Sequence, residues 1–170
     1  MIRTALMVAA AAALTAPASA EIRDYSPDGF ALHWEAPVMQ SREALWDKLV
    51  TPSRWWSSDH TYSGDAANLT LELAPGGCWC ETWDGGQIQH GRVLAVQPGK
   101  QLVISAPFGP MQSMAVNAVM TISIGVTETG ETMLIKDFVA TGAGFQKLDE
   151  LAQVVHMVQG QAFKSLASNG

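Results

Sequence analysis

Pro75-Gly76-Gly77-Cys78-Trp79-Cys80-Glu81-Thr82-Trp83-Asp84-Gly85-Gly86 reads as a turn, a short strand and a second turn. Pro75 lacks a backbone donor and Gly76-Gly77 tolerate positive φ, so whatever precedes them stops there. Asp84-Gly85-Gly86 is a hairpin signal, because primed turns need residues that accept φ > 0. The strand between them, Cys78 to Trp83, holds two tryptophans, both cysteines of the chain and a carboxylate. Successive strand residues face opposite ways, so Trp79, Glu81 and Trp83 share one face and Cys78, Cys80 and Thr82 the other. A Gly85-Gly86 loop sets Glu81 opposite His90, whereas an Asp84-Gly85 loop sets it opposite Ile88. Either register places Ile88, His90, Arg92, Leu94 and Val96 on the tryptophan face.

Outward from this hairpin the pattern is mostly β. Phe30, Leu32, Trp34 and Ala36 alternate with more polar residues and predict a half-buried strand that Pro37 ends. Residues 21–28 before it are polar and read as a loose lead-in. Ser41 is suited to cap a helix over Ser41 to Val50, with Glu43 in its first turn. Arg54-Trp55-Trp56 forms a second short turn or helix, and residues 57–68 are loop. Further strands follow at Leu69–Leu73, Gln87–Val96, Gln101–Ala106, Met114–Thr127 and Thr132–Ala140. The last segment changes period. Leu148, Leu151, Val155, Val158, Ala162 and Leu166 recur at spacings of three and four, the apolar stripe of one α-helix. A helix of about 20 residues spans about 30 Å and must bury that stripe on the sheet.

Several local motifs carry a family resemblance: Thr51-Pro52 before Trp55-Trp56, Pro75-Gly76-Gly77-x-Trp79-x-Glu81, Asp84-Gly85, Gly91-Arg92-Val93, and Gly130-Glu131-Thr132. With the order of elements, they resemble the START-like superfamily, also called SRPBCC or helix-grip. Within it they resemble the branch grouped with the activator of the heat-shock-protein ATPase. The resemblance covers roughly residues 30–167. It implies an α+β fold: a curved antiparallel sheet of about seven strands wrapped around a long C-terminal helix, with two short helices after the first strand. It also implies an apolar cavity between sheet and helix that takes a lipid-like or polycyclic molecule. Some members of the superfamily bind partner proteins, and a few are cyclases or hydrolases.

The candidate site follows from the face argument. Trp79, Glu81, Trp83, His90 and Arg92 combine apolar wall with a few polar groups, the composition of a ligand pocket. Trp56 is a candidate to close one mouth and Met120 to supply adaptable lining. Glu81 and His90 form a candidate acid/base pair, for which a cross-strand ion pair is the commoner explanation. No serine-nucleophile motif, phosphate loop or metal-spaced histidine pair points to an enzyme, a metal or a cofactor. Cys78 and Cys80 admit three readings: a disulfide, two ligands of a soft metal, or two small buried thiols. The thiol reading is preferred, because Cα atoms two apart on an extended strand lie roughly 6.5–7 Å from each other, the upper edge of disulfide geometry.

Arg3, the apolar run Ala5 to Leu14 and Ala18-Ser19-Ala20 have the form of a cleavable secretory signal. Cleavage after Ala20 leaves one domain, residues 21–170, in a periplasm or outside the cell. Loss of Arg3 takes the formal charge from −6 to −7. So acidic a chain, without a basic cluster, is a poor partner for nucleic acid or anionic lipid. No second long apolar run supports stable membrane insertion. The reading is therefore an exported domain that binds a hydrophobic small molecule. The alternatives are a cyclase- or hydrolase-type enzyme using Glu81 and His90, and a protein-interaction module.

Overall fold

The computed structural model describes residues 18–169. Eight antiparallel strands form one curved sheet in the order β1-β2-β8-β7-β6-β5-β4-β3. They are β1 (Ser19–Ser26), β2 (Gly29–Val38), β3 (Leu69–Leu71), β4 (Cys78–Trp83), β5 (Gly86–Gln97), β6 (Gln101–Ser105), β7 (Asn117–Val126) and β8 (Thr132–Thr141). Helix α1 (Arg42–Leu49) follows β2, and α2 (Leu148–Ala167) closes the chain. Short 3-10 turns at Pro52–Arg54, Ser58–His60 and Ala66–Asn68 lie between α1 and β3. The α+β helix-grip expectation holds, with eight strands rather than seven. No helix among the described residues is long and apolar enough to cross a membrane.

The extra strand is the polar lead-in. β1 is an edge strand on which only Ile22 is partly buried, so it carries no alternation for a sequence to show. The apolar run Ala5 to Leu14, read from the sequence as part of an export signal, lies outside the described residues. Ser19 and Ala20, at the expected cleavage site, open β1 opposite Glu35 and Trp34. Pro37 does not end β2, which runs on to Val38. β1 reaches no further than Glu35, so β2 has an open edge at Pro37, where a missing donor is tolerated.

Alternation does hold where one face is buried. Leu32 and Trp34 of β2, Leu134 and Phe138 of β8, Met120 and Ile122 of β7, and Ile104 of β6 all point into the core. Helix α1 begins as expected, with the Ser41 hydroxyl accepting from the Ala44 amide at 3.2 Å. Its Lys48 is buried and donates to the Ser165 and Ser168 carbonyls, both at 2.7 Å. A cation thereby satisfies carbonyls that the end of α2 leaves without partners. The turn Pro75-Gly76-Gly77 is hooked onto β5: Gly76 donates to Val93 O, and Val93 donates to Gly77 O. A Cβ on Gly77 would lie 2.2 Å from Glu72 O, so only glycine allows this approach.

Helix α2 is not seated evenly. Leu148 and Ala152 at its start and Ala162, Phe163 and Leu166 near its end are buried. Leu151, Val155 and Val158 between them are only partly covered, and Val154 is 54% exposed.

Candidate functional site

The β4–β5 hairpin takes the Asp84-Gly85 turn, with Trp83 opposite Gly86 and Glu81 opposite Ile88. A β-bulge then interrupts the ladder: Cys80 pairs with Gln89, but Trp79 pairs with Gly91. The extra residue, His90, turns inward beside Gly91, and the parity of β5 flips beyond it. Val93 becomes buried, while Leu94 is 47% exposed. Arg92 therefore leaves the tryptophan face. It is exposed, donating to Gly76 O at 2.8 Å and to Gln89 Oε1 at 3.0 Å.

The cysteine expectation is corrected as well. Cys78 and Cys80 form a disulfide, with Cα atoms 5.3 Å apart. The backbone between them is drawn in from the extended spacing assumed.

Glu81 has no exposure at all, and His90 only 3%. The His90 Nε2–H donates to Glu81 Oε2 at 2.8 Å. The Tyr62 amide donates to the same oxygen at 3.0 Å, and the Ser63 amide donates to Oε1 at 2.5 Å. Burial alone would raise the Glu81 carboxyl, but the donors from Ser63, Tyr62 and His90 outweigh it and hold the group below the ordinary glutamate range. The carboxylate thus ties the loop of residues 57–68 to the sheet.

An aromatic layer lies beside this anchor. Trp79 meets Trp55 at 5.6 Å, Trp56 at 5.3 Å and Phe108 at 5.2 Å between ring centroids. Phe108 in turn faces Phe138 at 6.4 Å. Trp79 is packed solid, at 1% exposure, and Met120 is completely buried in the core. Trp83 folds over its own turn, where a Cβ on Gly86 would lie 2.4 Å from the ring.

The open volume lies on the other side of Phe108. A cleft of ≈ 290 Å³ runs between α2 and the segment Phe108 to Met111, with His60 to Tyr62 at its rim. Leu151, Val154, Val155 and Val158 of α2 form one wall; Phe108 and Met111 form the other. Of the residues singled out in the sequence, Glu81, His90, Trp56 and Trp79 gather behind this cleft without lining it. Trp83, Met120 and Arg92 lie elsewhere. A larger groove of ≈ 780 Å³ separates the start of β1 from the second half of α2. Its wall includes Ala18, where the described residues begin.

Two further residues were not anticipated. Lys136 of β8 is fully buried, and its Nζ donates to Gln159 O at 3.1 Å and Gln159 Oε1 at 2.5 Å. It also sits 5.2 Å from the centre of the Trp34 ring. Burial pushes its amine down to about 7. Gln159, on α2, is 2% exposed and belongs to the cleft wall. The sequence does hold a signal for Lys136: it shares parity with Leu134, Phe138 and Ala140, the apolar set of its strand.

No protein-family model matches the chain, and no curated protein matches it in sequence. Solved structures do match in fold. A protein from Mesorhizobium loti superposes with a TM-score of 0.54 at 21% identity, over 81% of this chain and 93% of its own. One from Rhodobacter sphaeroides gives 0.57 at 18% identity, over 88% and 96%. The di-domain aromatase/cyclase StfQ from the steffimycin biosynthetic pathway gives 0.52 at 12% identity, over 83% of this chain and 50% of its own. These likenesses extend to the helix-grip fold.

Proposed function

We infer that the chain is an exported carrier that binds a hydrophobic small molecule in the cleft between α2 and the Phe108–Met111 segment. The observation that carries this reading is the half-seated helix. Leu151, Val154, Val155 and Val158 form a row of apolar side chains along a void, with Leu151 and Val155 only partly covered by the core. Leaving such a row unburied forfeits about 1.5–3 kcal/mol per large apolar side chain, which a bound apolar molecule recovers. The START-like resemblance and the helix-grip neighbours support a cavity-based activity. The N-terminal signal pattern supports export, and a disulfide at Cys78–Cys80 fits an oxidising compartment.

A cyclase reading would draw on the likeness to StfQ and on Glu81 with His90. In this chain the carboxylate oxygens are taken by two backbone amides and the imidazole, and neither residue lines the cleft. Their geometry supports anchoring a loop better than proton transfer to a guest.

Native mass spectrometry of the purified protein tests the carrier reading. An apolar molecule should accompany the wild type and be missing from Val155→Trp, which fills the cleft. Wild-type protein that is free of ligand and does not enhance the fluorescence of an apolar dye would overturn it.

A further inference from the structure

Lys136 is an amine placed where nothing balances the charge it carries when protonated. It has no measurable exposure, and it lies on the core face of β8 among Leu134, Phe138 and Ala140. Its polar partners are the two carbonyl oxygens of Gln159, both neutral, together with the face of Trp34. Among the described residues no carboxylate comes within ion-pair distance of it, and burial is the sole cause that moves its amine. A buried ammonium without an opposite charge is destabilising, and removal of the charge is commonly neutral or favourable. A fold that only needed packing there would be served by methionine.

Gln159 connects this cation to the cleft. Its side-chain oxygen accepts from the ammonium, and the residue belongs to the cleft wall. Apart from His60, Thr61 and Tyr62, the remaining side chains of the wall are apolar: valines and a leucine of α2, Phe108, Pro110 and Met111. A guest that follows this wall would therefore meet the Gln159 amide, and behind it a positive charge in a low-dielectric interior. Exchange of the amide oxygen for a carboxylate oxygen keeps the hydrogen bond and adds the opposite charge that the buried ammonium lacks. Such an exchange makes and breaks no covalent bond and requires a rotamer change of Gln159.

We propose that the cleft takes an amphiphilic carboxylate, with its apolar tail along α2 and its head group on the Lys136 ammonium in the place now held by Gln159 Oε1. The inference rests on the carrier reading and adds the charge and polarity of the guest. Gln159 is then a latch that occupies the head-group position in the empty protein.

Dodecanoate and dodecanol share a tail and differ in the head group, so titration of both into the full folded protein tests the idea. Dodecanoate is expected to bind about tenfold more tightly, since it alone of the two brings an opposite charge to the buried ammonium. Lys136→Met, whose folding is checked by thermal unfolding, should bind the two probes equally. Equal affinities for the two probes, or a preference that survives Lys136→Met, would overturn the inference and leave the carrier reading intact. If neither probe binds, the inference falls, while the carrier reading is decided separately by the native mass spectrum.

Discussion

Glu81 shows how much one buried side chain can organise. Its two oxygens receive three donors, two from the backbone of a distant loop and one from His90. Glu81→Gln keeps the shape but turns an amide nitrogen toward one of those donors, and should destabilise the fold by about 3 kcal/mol. The sign of the pH dependence follows from the depressed carboxyl. The stabilisation is complete above the ordinary glutamate value of 4.5 and is lost as pH falls through the lower value of the folded protein. Urea unfolding at a series of pH values should therefore show the gap between wild type and Glu81→Gln closing in acid. A gap that stayed constant would mean that the carboxylate charge is not what holds Tyr62 and Ser63. Glu81 was legible as a residue of interest in the sequence, but its role was not, because the loop amides it binds lie 18 and 19 residues away.

At the scale of elements, the β4–β5 bulge decides more than any single strand. It leaves His90 inward beside Gly91, moves Arg92 out and turns Val93 into the core. Gly91 is the residue that permits it. A Cβ there would lie 2.7 Å from Ser105 O and 2.9 Å from Ile104 Cγ2. Gly91→Ala must push backbone as well as side chain, and should lower the stability by about 1–3 kcal/mol. Thermal unfolding measures this, and an unchanged midpoint would show that β6 yields freely. Strands with one buried face, such as β7 and β8, could be read from alternation alone, and α2 from its three–four spacing. β1 could not, since both its faces are largely open, and the bulge could not, since one extra residue leaves no period behind. The cleft was hidden for a related reason. The stripe on α2 specifies which side faces the sheet, not how far the middle of the helix stands off it.

For the whole molecule the governing feature is strand order. β2, early in the chain, pairs along its whole length with β8, as in Gly29↔Thr141 and Val38↔Thr132. Its other neighbour is the thin edge strand β1, so the centre of the sheet depends on a contact about a hundred residues distant. A chain that ends at Gly130 lacks β8 and α2, and it should show no cooperative thermal transition by circular dichroism. A sharp transition in that fragment would mean that the remaining strands form a core of their own. Contacts so far apart in sequence also make folding slow, because loop closure precedes the reward of pairing. During synthesis, then, the ribosome must release almost the entire polypeptide before the middle of the sheet can close. Until that moment the nascent chain carries exposed β-strand edges and bare apolar side chains, the state in which a chaperone finds most to hold.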